Sequence, residues 1–100
     1  MREIAYFPEV SRDFVDAFSY YEGLASGLGA KFETAYYRAE LEIEQGIVTH
    51  RVVFKHYRRV LISKFPYAIY YRIDGPKAVI VGLLSLRRDP GKTEDILGSR

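Results

Sequence analysis

The sequence predicts a single α+β domain, in which a short N-terminal strand and an antiparallel two-helix hairpin precede a mostly antiparallel sheet of three or four strands. Two patterns lead to this prediction. Apolar residues recur at helical spacing up to Gly46 and follow the twofold spacing of strands after it. At 100 residues and 48% hydrophobic, the chain can build one core. We therefore treat residues 1–100 as one domain and expect residues 91–100 to form a mobile tail.

The first half of the chain is predicted to form a strand and two helices. Residues 2–7 alternate in polarity, and Pro8 suits the first turn of a helix. The apolar side chains of that helix share one face: Val10, Phe14, Ala17, Phe18 and Tyr21. Residues 26–29 (SGLG) end it and begin the second helix, so the short connection predicts an antiparallel hairpin. The apolar stripe of the second helix is Leu28, Phe32, Ala35, Tyr36, Ala39, Ile43 and Ile47.

The second half is rich in Val, Ile, Tyr and Phe, which favour strands. The predicted strands lie near residues 51–55, 58–64, 67–73 and 78–85. Asp74-Gly75-Pro76 is a turn sequence, so the last two strands should be antiparallel.

The segment 67–73 should present different chemistry on its two faces. One face carries Tyr67, Ile69, Tyr71 and Ile73, and we expect it to pack on the helix hairpin. The other face carries Ala68, Tyr70 and Arg72, to which the neighbouring strand should add Arg58, Val60, Ile62 and Lys64. This outer face is predicted to be basic and exposed, with Tyr70 available to a partner.

Charge is distributed unevenly along the chain. Residues 1–48 contain four Lys/Arg against nine Asp/Glu, a net charge of −5, whereas residues 49–100 contain eleven against four, a net charge of +7. A basic half favours an anionic partner, either a nucleic acid or an acidic peptide. The alternative is that the basic surface pairs internally with the acidic half.

Several kinds of catalytic or metal site lack their sequence signature. The GKT at 91–93 has Leu86 where a phosphate-binding loop needs its first glycine. His50 and His56 have no acidic or cysteine companions at metal-binding spacing, and the chain has no cysteine. We therefore expect no metal and no cofactor. Residues 1–25 carry charges throughout and no apolar run approaches a membrane span, so we expect a cytoplasmic protein without membrane contact.

The last predicted strand ends in Leu86-Arg87-Arg88-Asp89-Pro90. Arginines beside a tyrosine at a strand end can hold a phosphate while the ring stacks on a base. Alternatively, Arg87 and Arg88 pair with Asp89 or with acidic residues of the helices.

Two stretches resemble the ParE/RelE toxin superfamily of type II toxin–antitoxin systems. They are YRRVLISKFPYAIYYRIDGPKAVIVGLLSLRRDP (57–90) and FPEVSRDFVDAFSYYEGLASGLGAKF (7–32), which together with the segment between them cover about nine-tenths of the chain. The resemblance implies a helix hairpin on a mostly antiparallel sheet. It also implies a cognate antitoxin as partner, with an acidic amphipathic segment. Operator DNA would be contacted only through that antitoxin. The residues expected to contact partners are Arg58, Arg59, Lys64, Tyr70, Arg72, Arg87 and Arg88.

The superfamily implies two different activities. ParE-like members poison DNA gyrase and are not themselves enzymes, whereas RelE-like members cut mRNA on the ribosome. If the chain were a nuclease, Arg58, Tyr70, Arg72 and Arg88 would act on the phosphate. Ala68, Ser85 and Glu94 stand where related nucleases place a basic residue, a histidine and a late tyrosine. These departures favour the gyrase inhibitor, with the endoribonuclease and a non-toxic, antitoxin-binding descendant as alternatives.

Overall fold

The computed structural model describes residues 1–100 as five strands and three helices. They are β1 (Glu3–Tyr6), α1 (Glu9–Leu24), α2 (Leu28–Gln45), β2 (Val52–Phe54), β3 (Tyr57–Leu61), β4 (Tyr67–Asp74), β5 (Lys77–Ser85) and α3 (Pro90–Ser99). The strands form one sheet in the order β1-β5-β4-β3-β2, and only the β1–β5 pair is parallel. The predicted α+β class and the order of its elements are confirmed. None of the three helices has both the length and the apolar character that a membrane crossing requires.

Glycines set the ends of the second helix. Gly27 precedes α2 with a φ of 87°, and Gly46 follows it with a φ of 68°, both in the left-handed region that favours glycine. The Glu22 carboxylate holds the hairpin turn by accepting hydrogen bonds from the backbone N–H groups of Gly27 and Gly29, both at 3.0 Å. Because the helix ends at Gln45, the predicted apolar stripe was one residue too long: Ile47 lies beyond it and is 82% exposed.

The main core lies between the helix hairpin and one face of the sheet. Its buried members are Val10, Ala17, Tyr21, Phe32, Tyr36, Ala39, Ile43, Val60, Ile62, Ile69, Tyr71, Ala78, Ile80 and Leu83. The prediction that Ile69 and Tyr71 pack on the hairpin is confirmed, and Tyr67 packs against the same core. Ile73, predicted for this face, is 39% exposed near the β4–β5 turn.

The predicted face of strand β3 was wrong. Arg58 is opposite Tyr71 and Val60 is opposite Ile69 in the antiparallel register. Directly opposed residues share a face of the sheet, so these β3 residues lie on the helix-hairpin side and Arg59 lies on the other. A shift of one residue exchanges the faces of a whole strand. The register is set by the irregular connection at residues 62–66, where Lys64 has a φ of 70°, and alternation alone does not specify it.

The segment predicted to be a mobile tail, residues 91–100, forms most of α3 and its C-cap. Asp89 accepts a hydrogen bond from the Gly91 N–H at 2.8 Å, and Pro90 occupies the first helical turn. The helix buries Leu97 against the sheet face opposite the hairpin. The resulting second core consists of Tyr57, Ala68, Tyr70, Val79, Val81, Leu84 and Leu97. Tyr70, predicted to be exposed, is only 3% exposed because this helix packs over it.

One ion pair joins the C-terminus of α3 to α1 across the end of the sheet. The Arg100 guanidinium contacts the two oxygens of Asp13 at 2.6 and 2.9 Å and also donates to the Val81 carbonyl at 3.0 Å. Asp13 accepts a further hydrogen bond from the Leu83 N–H at 3.1 Å. These contacts satisfy backbone groups beside an irregularity in the β4–β5 pairing. A Cβ atom at Gly82 would lie about 3.1 Å from the guanidinium, so a side chain there would require Arg100 to shift by a few tenths of an ångström.

Replacing Arg100 with alanine should lower the free energy of unfolding by about 3 kcal/mol, because it leaves a largely buried carboxylate without its cation. Chemical denaturation would measure the loss. The matched control is Arg87→Ala, an exposed arginine whose replacement should cost under about 1 kcal/mol. Equal losses in the two variants would contradict a structural role for the Asp13–Arg100 pair.

Candidate functional site

The seven residues predicted to contact partners occupy four different places. Lys64 and Arg87 lie together in a groove beside the helix hairpin. Arg59, Tyr70 and Arg88 line a small cleft beside α3. The remaining two lie elsewhere: Arg58 is on the inner face of the sheet, and the Arg72 guanidinium lies 5.4 Å from the centre of the Phe7 ring.

The larger site, here called the basic groove, has a volume of about 820 Å³. It runs between the hairpin and the β3–β4 connection, and it is lined by Tyr20, Tyr21, Leu24, Leu28, Ala30, Lys31, Thr34, Ala35, Arg38, Ser63, Lys64, Phe65, Pro66 and Arg87. Four of these residues are cationic and none is acidic. Leu24 and Tyr20 are 61% and 55% exposed, so the groove also offers apolar surface to a partner.

The groove is shaped by an aromatic anchor in the β3–β4 connection. The Phe65 ring packs edge-on against Tyr21 and Phe32, with ring centres 4.8 and 5.2 Å apart. The Leu86 N–H donates to the Pro66 carbonyl at 2.8 Å, which holds the end of β5 against the same connection. Lys64 and Arg87 are thereby held at one rim of the groove. Burial raises the pKa of Tyr21, so its hydroxyl remains protonated at neutral pH.

Two cations of the basic groove were missed in the sequence. Lys31 and Arg38 lie seven residues apart on α2 and therefore share a helical face. They are the only basic residues of a helix that otherwise carries four glutamates. Two basic residues on one face of an otherwise acidic helix are a sequence signal from which the groove could have been inferred.

The smaller site, here called the arginine cleft, has a volume of about 100 Å³. Its polar lining consists of Arg59, Ser85, Arg88, Thr93 and Glu94, and Tyr70 also lines it. Guanidinium groups placed in this way can hold an anion. Small-molecule sites usually exceed about 300 Å³, so a whole nucleotide does not fit here while α3 is in place.

Arg58 belongs to a hydrogen-bonded cluster with His50 and Tyr71. It donates to the His50 carbonyl at 2.6 Å, and His50 Nδ1 forms a hydrogen bond with the Tyr71 hydroxyl. His50 Nε2 lies 3.3 Å from a Glu42 oxygen without the alignment of a hydrogen bond. Burial raises the pKa of Tyr71, which keeps its hydroxyl protonated at neutral pH. The cluster ties the connection after α2 to the main core.

Comparison with known proteins gives a likeness of fold. No family model and no curated protein matches the chain. Among solved structures, a chain from the "Chromosomal ParDE TA system from P. aeruginosa" aligns with a TM-score of 0.76 at 13% identity. The alignment covers 87% of this chain and 98% of that one. The fold of this protein is therefore that of the ParDE chain.

Replacing Tyr71 with phenylalanine should lower the free energy of unfolding by about 1–3 kcal/mol, because buried His50 Nδ1 loses its hydrogen-bond partner. Thermal or urea unfolding would measure the change. Tyr70→Phe is the matched control and should cost under about 1 kcal/mol, since the change keeps the ring that packs in the second core. If Tyr70→Phe were the more damaging change, the proposed contribution of the Tyr71 hydrogen bond would be refuted.

Proposed function

We propose that this protein is the toxin of a type II toxin–antitoxin pair, that it inhibits DNA gyrase, and that an antitoxin neutralises it. The observation that carries the proposal is the likeness of fold to a chain of a ParDE toxin–antitoxin system over 87% of this chain. The basic groove adds an independent argument, because its chemistry suits a partner segment that is both acidic and apolar.

The basic groove is the proposed antitoxin site. Four cations surround exposed apolar side chains, so an amphipathic helix with acidic residues could bury its apolar face and pair its charges there. Such a segment can remain disordered until it binds, since its own composition cannot form a core. The predicted contacts at Lys64 and Arg87 remain part of this proposal, and Lys31 and Arg38 join them. Arg59 and Arg88 are proposed to contact the target, and the buried Tyr70 supports the cleft that holds them.

Gyrase is favoured over mRNA as the target because the proposed nuclease residues are dispersed. Arg58 is bonded to the His50 carbonyl and Arg72 packs on Phe7, so neither lies in the arginine cleft with Arg88. Cleavage of RNA needs a phosphate held beside a base that can deprotonate a 2′-hydroxyl, and the residues predicted to hold that phosphate do not all lie together. At about 100 Å³, the arginine cleft is also too small for a whole nucleotide.

The second candidate is a ribosome-dependent mRNA endonuclease that uses the arginine cleft. The observation in its favour is that Arg59, Arg88 and Glu94 meet in that cleft, which supplies cations for a phosphate and a carboxylate as a base. This set differs from the one predicted from the sequence, since Arg59 replaces Arg58 and Arg72.

The purified protein should inhibit supercoiling of relaxed plasmid by gyrase, and its induced expression should arrest growth with filamentation and DNA-damage signalling. Arg88→Ala should weaken both effects while unfolding at nearly the wild-type temperature, because this arginine is exposed. Normal supercoiling at excess protein would refute gyrase as the target.

Primer extension on translated transcripts then separates the alternatives: cuts within codons that Arg88→Ala abolishes indicate the nuclease. Harmless expression of soluble protein indicates the non-toxic descendant.

The gene next to this one should encode a small protein with a DNA-binding part and an acidic C-terminal helix, whose association rate falls steeply as salt rises. Stopped-flow mixing at two salt concentrations would measure that rate. Reversing two groove charges, as Arg38→Glu with Lys64→Glu, should slow association by about tenfold or more. Lys77→Glu, an exposed change at the β4–β5 turn, is the control and should have little effect. An association rate that ignores salt and the groove charges would contradict the proposed antitoxin site.

A further inference from the structure

A second cleft, here called the aromatic cleft, lies where the end of β1 meets the helix hairpin. Its volume is about 400 Å³, and it is lined by Tyr6, Phe7, Pro8, Val10, Ser11, Phe14, Val15, Tyr36 and Tyr37. Five of these nine residues are aromatic and none is charged. None of the residues that line it also lines the basic groove.

The aromatic cleft has a buried floor and an open rim. Tyr36 and Val10 are each 4% exposed, and Phe14 meets Tyr36 edge-on with ring centres 5.2 Å apart. Tyr6 and Tyr37 at the rim are 51% and 55% exposed. The rim rings are therefore accessible to a side chain from outside, and the packed floor limits how deeply it can enter.

A carboxylate is bonded to two of the tyrosines that line the cleft. The two oxygens of Glu40 accept hydrogen bonds from the hydroxyls of Tyr6 and Tyr36, each at 2.7 Å. Burial and the neighbouring carboxylate raise the pKa of both tyrosines, so both hydroxyls remain protonated donors. A phenol that donates to an anion has more electron density on its ring, which strengthens attraction to a cation over the ring face.

The helix hairpin that forms most of the cleft carries a net negative charge. Helices α1 and α2 together carry eight Asp/Glu and three Lys/Arg, and two of those three cations, Lys31 and Arg38, line the basic groove instead. One cation already lies beside the cleft: the Arg72 guanidinium is 5.4 Å from the centre of the Phe7 ring, so this ring accepts a guanidinium. An acidic partner segment therefore suits the basic groove, whereas the Glu40 carboxylate beside the aromatic cleft favours a cationic one.

We propose that the aromatic cleft binds an arginine side chain from a basic segment of a partner protein. A planar guanidinium is weakly hydrated and stacks on aromatic faces, so it can enter a partly apolar cleft at lower desolvation cost than an ammonium group. The exposed Tyr37 and Tyr6 rings would contact the guanidinium, and Glu40 would supply the opposite charge through the hydroxyls it holds. This site is independent of the proposed antitoxin groove and of the choice between gyrase and mRNA.

The test is a nuclear magnetic resonance titration with three matched probes at constant ionic strength. N-acetylarginine methylamide carries the guanidinium, N-acetylcitrulline methylamide is its neutral isostere, and N-acetylleucine methylamide is purely apolar. The arginine probe should shift the amide signals of Tyr6, Val15 and Tyr37, with an affinity about two- to thirty-fold above that of the citrulline probe. Citrulline or leucine binding as tightly as arginine would overturn the assignment, and so would an absence of shifts at the cleft.

Two variants identify the groups responsible. Tyr37→Leu should reduce the arginine affinity within the same two- to thirty-fold range while leaving the weak leucine binding nearly unchanged. Glu40→Gln should reduce the preference for arginine over citrulline. Leu41→Ala, an exposed change on α2 outside the cleft, is the control and should alter neither. If Glu40→Gln fails to fold, Tyr37→Leu and the wild-type probe series still decide the question. An arginine affinity that survives Tyr37→Leu would refute the proposal.

Discussion

The burial of β4 and β5 on both faces is the constraint on which the rest of the structure depends. Residues 68–71 and 78–84 are buried without interruption, so the sheet needs a layer on each side. The helix hairpin supplies one layer and α3 supplies the other. The Asp13–Arg100 pair joins the two layers at the point where the β4–β5 pairing is irregular. The domain therefore has two small cores, one on each face of the sheet, and one ion pair links the layers that cover them.

This arrangement decides where recognition surfaces can form. Because the centre of the sheet is covered on both sides, the surfaces open to a partner lie along the hairpin and at the end of β5. The basic groove and the aromatic cleft share no lining residue, and the arginine cleft lies where β5 runs into α3. Each surface has a floor of core residues, so its exposed charges and rings are held by packing and require little ordering when a partner binds.

The sequence predicted the elements better than their packing. Long apolar stripes identified α1 and α2, and β-branched and aromatic runs identified the strands, because those patterns are local. The face of β3 depends on the register set by residues 62–66, which no local pattern encodes. Helix α3 is short and contains Gly91 and Gly98, so its apolar periodicity was weak although Asp89-Pro90 is a helix-start signal. The burial of Tyr70 follows from that missed helix, and the dispersal of Arg58 and Arg72 follows from register and tertiary contacts.

The charge asymmetry of the sequence is expressed on the surface of the fold. Internal pairing of the acidic and basic halves was one reading of the sequence, yet Asp13–Arg100 is the only ion pair between a carboxylate and a Lys or Arg. The fold also brings two cations of the acidic half, Lys31 and Arg38, to Lys64 and Arg87 of the basic half. The helix hairpin as a whole remains acidic, with eight Asp/Glu against three Lys/Arg. Long-range electrostatics should therefore guide an acidic segment to the four cations of the basic groove and a basic segment to the remaining acidic surface of the hairpin.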